Sequence, residues 1–352
     1  MRFPSRRERG CSRGATSSGT RSRTMRRIIC LLPALLLMVS CSGPTISAVG
    51  ESDDLVIVTA GGASDRLVRT AVGVAEQPVA WLLDEPVFAS TVRTLDQIKR
   101  VTNRRHLLLV GTWEDELGAF AERRFEGLER GAPPEFVIAT DVWAEGQVAA
   151  AVVGPDEKSV VAFLKERAAG IILEIELVSE RRLARNLCST GEADRRAAAL
   201  IERFGWSLCL PDQYELFTTQ EGEPFAFFRR TRPDRTVFVA WRQGDAADVT
   251  EDAATAWRQE LSVKYLDGDE IERRRPFSAE TARLAGRRAV RLRGWWANTE
   301  LVGGGPFVSY CFAVPEQGRV YLVDASLFAP SFDKTALMRN LEAIVRTFRT
   351  GD

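Results

Sequence analysis

The 352-residue chain has one histidine, four methionines and four tyrosines. A Ser-His-Asp triad would have to use His106, and zinc sites draw on several closely spaced Cys and His residues. His106 begins the apolar run at residues 106–110, as expected of a polar residue at the end of a strand. The sequence therefore predicts no metal site and no cofactor.

A run of the ~20 apolar residues that a membrane-spanning helix needs is also absent. The apolar run at residues 28–39 holds about a dozen residues, follows Arg26 and Arg27, and ends beside Ser40 and Cys41. A positive start, a short apolar core and a small final residue are the parts of a signal peptide. We expect export, not a transmembrane helix.

The end of this signal, Met38-Val39-Ser40-Cys41, resembles the lipobox of bacterial lipoproteins. The resemblance implies that the Cys41 thiol carries a diacylglycerol, so that one partner of the protein is a membrane. Ser42 stands where an Asp often retains such proteins in the inner membrane, and it favours the outer membrane. Three alternatives stay open: a cleaved soluble secretory protein, a chance apolar run, and a twin-arginine signal at Arg26-Arg27.

Residues 1–24 consist mainly of Arg, Ser, Gly and Thr and cannot form a core, so we expect the true start at Met25. Residues 1–40 contain nine arginines and one glutamate, which leaves 39 basic and 47 acidic residues, or a net charge of about −8, from Cys41 onward. Nucleic-acid binding needs a clustered basic surface, so we expect no nucleic-acid partner.

Three cysteines follow Cys41, and an odd number leaves at least one unpaired. We expect Cys209 and Cys311 to be small buried residues in strands. A disulfide that involves Cys188 or either of the others is possible in an exported protein, but sequence spacing does not select a pair.

The chain is predicted to comprise a leader and signal peptide (1–40), a tether (41–54), an α/β domain (55–188) and an α+β domain (189–352). In the first domain, apolar strand patterns alternate with amphipathic helix patterns, which is typical of a two- or three-layer α/β sandwich. The predicted strands are 55–59, 88–92, 106–111, 136–140 and 147–153, and the predicted helices are 63–74, 95–101, 114–128 and 157–187, the last of which Gly170 could interrupt.

The second domain is predicted to be an antiparallel sheet covered by helices. Its predicted helices are 193–204, 251–264 and 334–348, and its predicted strands are 206–210, 214–219, 225–230, 237–242, 288–296, 307–314 and 319–328. In topology this layout resembles PsbP-like and Mog-like domains.

Several short strings occur in order along the chain: Asp141-Val142-Trp143-Ala144-Glu145-Gly146-Gln147, Leu292-Arg293-Gly294-Trp295-Trp296, Gly304-Gly305-Pro306-Phe307-Val308-Ser309-Tyr310, Ala329-Pro330 and Asp333-Lys334. Together they resemble an uncharacterised family of bacterial envelope lipoproteins that is defined only as a domain of unknown function. The resemblance implies a cell-envelope location but no catalytic residues.

The candidate binding surface centres on two adjacent tryptophans, which point to opposite faces of a strand, so that one can enter the core while the other stands out. Its predicted residues are Trp295, Trp296, Asn298, Gly303, Gly304 and Gly305, with a second polar and aromatic corner at Asp141, Trp143 and Gln147. The competing interpretation is that both groups only stabilise turns and packing.

These features favour a lipid-anchored, non-catalytic binding or assembly protein of the cell envelope, with an envelope protein or polysaccharide as its partner. One alternative is a hydrolase or transferase that acts on envelope polymers and uses two carboxylates about 5 to 9 Å apart in one deep pocket. Another is a purely structural or stress-related factor that supports an outer-membrane complex. We expect no such carboxylate pair in a pocket lined by polar groups.

Overall fold

The computed structural model describes residues 46–131, 133–217 and 223–351. The predictions for the leader, for Met25 and for Cys41 lie outside these residues. Among the described residues, no helix is both long enough and apolar enough to cross a bilayer.

The helices are α1 (Asp65–Ala75), α2 (Glu116–Glu122), α3 (Glu157–Leu187), α4 (Gly191–Phe204), α5 (Glu251–Tyr265) and α6 (Thr335–Arg346). Short 3-10 helices lie at Ala80–Leu82, Leu95–Arg100, Ala246–Asp248 and Pro315–Gln317. The first seven strands are β1 (Asp54–Thr59), β2 (Pro78–Val79), β3 (Glu85–Pro86), β4 (Ala89–Thr94), β5 (His106–Thr112), β6 (Glu135–Thr140) and β7 (Val148–Gly154). The others are β8 (Trp206–Ser207), β9 (Glu215–Phe217), β10 (Phe225–Arg230), β11 (Asp234–Gln243), β12 (Glu270–Ile271), β13 (Ser278–Leu284), β14 (Arg287–Asn298), β15 (Gly303–Val314), β16 (Arg319–Phe328) and β17 (Arg349–Thr350).

The first sheet has the strand order β4-β1-β5-β7-β6, in which only β6 runs antiparallel. Every residue of β5 and β7 is buried, as expected of strands that are covered on both faces. Helices α1 and α3 pack on one face, and α2 packs on the other with the 3-10 helix Leu95–Arg100. This is a three-layer α/β sandwich, which confirms the predicted fold class for the first half.

Several details of this half differ from the predictions. Strands β2 and β3 were not predicted, and α2 ends at Glu122, well short of the predicted residue 128. Helix α3 continues through Gly170, because a helical glycine costs only about 1 kcal/mol and the buried residues Ile171 and Ile175 pack on the sheet just beyond it. His106 begins β5 as predicted, but it is buried, and its Nδ1 donates a hydrogen bond to the Asp54 carbonyl oxygen at 2.8 Å. Burial lowers the pKa of His106 to about 3, so the ring is neutral at pH 7.

The second sheet is antiparallel, with the order β12-β14-β15-β16-β11-β10-β9 and with β13 also paired to β14. Helix α6 covers one face and α5 covers part of the other, which confirms the predicted α+β arrangement. Strands β12 and β13 were not predicted. Most side chains of β13 are at least partly exposed, so its sequence lacks the apolar alternation that identifies a half-buried strand.

The structure pairs Cys188 with Cys209 in a disulfide, with 5.2 Å between their Cα atoms. The expectation that Cys209 is a free residue in a strand is therefore wrong: strand β8 ends at Ser207, and the chain that follows passes the end of α3. Cys311 agrees with its prediction, since it is buried and unpaired in β15.

Candidate functional site

The candidate site is a cavity of about 270 Å³ on the α5 face of the second sheet. Helix α5 covers this face with Ala254, Trp257 and Leu261 and ends at Tyr265. Beyond that residue, no helix of the described residues lies over these strands. The cavity occupies this uncovered end of the sheet face, and it is bounded by the loop after α5 and by the hairpin that joins β14 to β15.

Aromatic side chains form the walls of the cavity. Phe227, Tyr265, Trp296 and Phe328 all line it, and the rings of Trp296 and Phe328 lie 6.2 Å apart at an angle of 49°. Phe328 is 38% exposed, and Leu301 at the tip of the hairpin is 67% exposed. Apolar groups therefore remain open to a ligand at the entrance.

Two glycines of β15, Gly303 and Gly305, lie close to Trp296 and have different roles. A Cβ atom on Gly305 would lie 1.8 Å from the Leu327 carbonyl oxygen, so no other residue fits at that close approach of the strands. A Cβ atom on Gly303 would meet the rings of Phe328 and Trp296 at 3.7 Å, an ordinary contact distance. Gly305 is thus required by the sheet, whereas Gly303 leaves room in the cavity.

Polar groups line one side. Arg229 donates two hydrogen bonds to the carboxylate of Asp234, from Nε at 2.7 Å and from Nη2. The hydroxyl groups of Thr236 and Ser326 lie 3.0 Å apart. These four side chains project from β10, β11 and β16 on the same face of the sheet as the aromatic walls.

Asn298 organises the acidic end of the cavity. Its side-chain amide donates to the Asp267 carbonyl oxygen and to the Asp269 carboxylate, both at 2.9 Å, and its oxygen accepts from the backbone of the hairpin. Burial raises the pKa of Asp269, whereas the hydrogen bond from Asn298 and the charge of Arg258 act to lower it. Asn298 therefore fixes the position of a partly buried carboxylate at the end of β14.

Two carboxylates of one short segment, those of Asp267 and Asp269, line the cavity. The charge of Asp267 adds to burial in raising the pKa of Asp269. The expectation that no deep pocket holds two carboxylates about 5 to 9 Å apart stays a prediction. The sequence contains these acids in one short segment, where they are equally well explained as solvated residues at a helix end. Only the approach of the β14–β15 hairpin places them beside the aromatic walls.

The two adjacent tryptophans separate as the alternation of a strand requires. Trp296 lines the cavity, whereas Trp295 is buried on the opposite face. The indole nitrogen of Trp295 donates to the Trp81 carbonyl oxygen at 2.7 Å, and Arg275 lies over its ring. Of the residues predicted for the candidate surface, the cavity brings together Trp296, Asn298 and Gly303; Trp295, Gly304 and Gly305 do not line it.

The predicted corner in the first half is engaged by its own turn. Asp141 accepts a hydrogen bond from the Gly146 amide at 2.6 Å and pairs with Arg182. Gln147 is buried and bonds to three backbone groups, and Trp143 stacks on Phe120 at 6.1 Å. These contacts hold the turn between β6 and β7 against α3, through Arg182, and against the segment before β5, through the Thr102 and Arg104 carbonyl oxygens. None of the three residues lines the cavity.

The acidic cluster at residues 245–252 has a structural explanation. Asp245 and Asp248 form a capping box around a 3-10 helix, and Thr250 caps α5. In the described ranges, no three His, Cys, Asp or Glu side chains are grouped so as to hold a metal ion.

Sequence reasoning missed the residues that β10, β11 and β16 contribute, including Phe227, Arg229, Asp234 and Phe328. A possible signal was the alternation in β10, where Phe225, Phe227 and Arg229 share one face. That pattern predicts a strand with one apolar face, but it does not reveal that α5 is too short to cover it.

The similarity to known proteins lies in the second half. Residues 193–347 match the model of the family described as Domain of unknown function (DUF4837). The family resemblance expected from the sequence is thereby confirmed over this range, which contains every residue that lines the cavity. No curated protein matches the sequence.

Several solved structures match part of this chain at low similarity. LpqN, described as involved in cell envelope biogenesis of Mycobacterium tuberculosis, is 18% identical, with a TM-score of 0.30 over 42% of this chain and 83% of LpqN. The Ran-binding protein Mog1p of Saccharomyces cerevisiae is 12% identical, with a TM-score of 0.29 over 42% of this chain and 91% of Mog1p. A Pseudomonas aeruginosa protein of unknown function, a putative regulator, is 12% identical, with a TM-score of 0.24 over 39% of this chain and 96% of its own.

Proposed function

We propose that this chain is an exported, lipid-anchored protein of the bacterial cell envelope that binds a ligand in the cavity of its second sheet without transforming it. The observation that carries the binding function is the uncovered sheet face, where aromatic side chains surround a space of about 270 Å³. Concave, mostly apolar sites with a few oriented polar groups are the usual form of small-ligand sites.

The anchor is supported by the sequence alone. The run from Arg26 to Cys41 has the parts of a lipoprotein signal. Residues 47–52 of the predicted tether are instead held on the folded body, because Ser47 and Val49 pair with Glu145 and Arg104 and Ser52 is buried. A single acyl chain gives only marginal membrane binding, whereas several chains on one residue hold a protein stably. The outer membrane is the proposed location, because Ser42 follows the cysteine.

Membrane fractionation and intact-mass measurement test the anchor. The wild-type protein should sediment with membranes and carry the mass of a diacylglycerol, and Cys41→Ala should lose both properties. Cys30→Ala is the matched control, because it removes a thiol from the same signal without touching the predicted attachment site. Unchanged sedimentation and mass in Cys41→Ala would refute lipid anchoring.

Photo-crosslinking tests the cavity. A benzophenone amino acid at Leu301, on the rim of the cavity, should form adducts in cell envelopes, and Gly303→Val should abolish them by filling the space between Trp296 and Phe328. The same probe at Leu173, 55% exposed on α3, controls for adventitious contacts. Equal labelling at both positions, unaffected by Gly303→Val, would contradict a binding site here.

A specific observation supports the enzymatic alternative. Asp267 and Asp269 share the cavity, and the raised pKa of Asp269 is of the kind seen in the general acids of glycoside hydrolases. If the protein is an envelope polymer hydrolase, purified protein should release soluble fragments from peptidoglycan sacculi and Asp269→Asn should stop the release. We expect no release from the wild-type protein, and activity sensitive to Asp269→Asn would overturn the non-catalytic assignment.

A further inference from the structure

The cavity combines aromatic walls with uncompensated negative charge. Its lining contains three carboxylates, on Asp234, Asp267 and Asp269, and one guanidinium, on Arg229. Because Arg229 and Asp234 form a two-pronged ion pair, they largely neutralise each other. The other two carboxylates, on Asp267 and Asp269, have no ion-pair partner among the described residues, and Arg229 acts on Asp267 only at longer range.

No cation of the described part of the chain forms an ion pair with either of these carboxylates. Asp269 instead accepts a hydrogen bond from the neutral amide of Asn298 at 2.9 Å. Arg258 acts on Asp269 only at longer range, since its own contact is with the buried carboxylate of Asp324 at 3.1 Å. A cationic ligand would supply the missing partner.

The aromatic residues also attract a positively charged ligand. A cation over the face of an aromatic ring is drawn to the negative charge of the π system, and tryptophan is the strongest such ring. Trp296 and Phe328 form one wall at a ring separation of 6.2 Å, and Phe227 and Tyr265 also line the space. An inorganic metal ion would gain little from these rings, whereas the alkyl groups of an organic cation would fill the space between them.

The other polar groups of the cavity are already engaged. The hydroxyl groups of Thr236 and Ser326 lie within hydrogen-bonding distance of each other, and the oxygen of Asn298 already accepts two backbone amides. A primary ammonium would therefore donate chiefly to the two carboxylates, whereas a quaternary ammonium has no donor to satisfy and its alkyl groups meet the aromatic walls.

We infer that the cavity binds a quaternary ammonium group, held between the aromatic walls with Asp267 and Asp269 as its counter-charges. The inference rests on the proposed binding function and specifies its ligand class. Choline is a suitable probe, because 3,3-dimethylbutan-1-ol has the same shape and hydroxyl group but no charge.

Calorimetric titration of the full-length protein in detergent tests the inference. Choline should bind at least about ten-fold more tightly than the neutral alcohol, since a desolvated cation–π contact alone contributes about that factor. Asp267→Asn and Asp269→Asn should each weaken choline but not the alcohol. Asp245→Asn, in the capping box outside the cavity, is the matched control and should change neither.

The other outcomes overturn the inference in distinct ways. Equal binding of choline and the alcohol, with both lost in Gly303→Val, would refute the charge requirement and leave the binding function standing. Tighter binding of Nα-acetyl-lysine methylamide than of choline would refute the quaternary class. Failure of both choline and the alcohol to bind would also refute it, and the crosslinking at Leu301 would then decide separately whether the cavity binds anything.

Discussion

Glu342 gives a sharp test of the electrostatics that hold α6 on the second sheet. Its buried carboxylate receives hydrogen bonds from Arg293 at 2.8 Å, Arg346 at 3.2 Å, Arg291 at 3.4 Å and the Tyr310 hydroxyl. Burial by itself would raise the pKa of Glu342, but the three guanidinium groups lower it from 4.5 to about 2. The carboxylate therefore stabilises the folded state in its charged form.

Replacing Glu342 with Gln keeps the shape and removes the charge. The fall in pKa from 4.5 to about 2 corresponds to about 3 kcal/mol of stability at pH 7. Removing one partner of a buried ion pair costs about 3–5 kcal/mol, because the other charge is left without compensation. Both arguments predict that Glu342→Gln lowers the free energy of unfolding by about 3 kcal/mol at neutral pH.

The pH dependence follows from the direction of the shift. A carboxyl group whose pKa is lower in the folded state contributes its full stabilisation above the unfolded value, and loses it as the pH falls toward the folded value. For Glu342 the loss runs from about pH 4.5 down to about pH 2. Glu180 acts in the opposite direction, because burial and the charge of Glu342 raise its pKa, so its protonation partly offsets the loss.

Urea denaturation at pH 7 and pH 3 measures both effects. The matched control is Glu280→Gln, because Glu280 also pairs with Arg291, at 2.7 Å, but is 47% exposed and should contribute only about 0–1 kcal/mol. The difference in stability between wild type and Glu342→Gln should shrink at pH 3. The reasoning fails if Glu342→Gln costs no more than Glu280→Gln, or if that difference is the same at both pH values.

Two further perturbations test the disulfide between α3 and the chain after β8, and the close approach of β15 to β16. Replacing Cys188 and Cys209 with Ser should lower the free energy of unfolding by about 3 kcal/mol, since the disulfide spans 21 residues. Dithiothreitol should bring the wild type to the same urea midpoint as this variant. A variant as stable as the oxidised wild type would refute the disulfide. Gly305→Ala should cost about 3 kcal/mol or more because of its clash with the Leu327 carbonyl oxygen, whereas Gly303→Ala should cost less than about 1 kcal/mol. Similar thermal unfolding of the two alanine variants would show that the strands do not pair in this register.

The elements that were predicted accurately are those whose bounds depend on nearby residues, such as turn residues and helix caps. Strand β10 was predicted at its observed bounds, because its aromatic run is bounded by turn residues. Helix α4 was predicted to within two residues: Gly205 ends it in the left-handed conformation with a φ of 79°, as a C-cap glycine does. Likewise, the opposite orientations of Trp295 and Trp296 follow from the two-residue period of a strand.

The features that were missed depend on contacts between distant segments. The pairing of Cys188 with Cys209 requires the end of α3 to lie beside the chain after β8. The number of residues between two cysteines does not reveal how far apart they lie in the folded protein. Asp269 became a candidate only because Asn298, 29 residues later, reaches back to it. The cavity itself arises from the length of α5 relative to the sheet, which is a property of the assembled domain.

The buried pair of Arg258 and Asp324 links the core under α5 to this cavity. A buried ion pair adds little net stability compared with well-packed apolar groups, so its position beside the cavity calls for another role. Asp324 accepts a hydrogen bond from Ser326 at 3.1 Å, and Ser326 in turn faces Thr236 in the cavity lining. The charge of Arg258 also favours the ionised form of Asp269. The pair thus orients the hydroxyl groups of Ser326 and Thr236 and favours the negative charge of Asp269. The position of Arg258 on α5 therefore influences which ligands the cavity can bind.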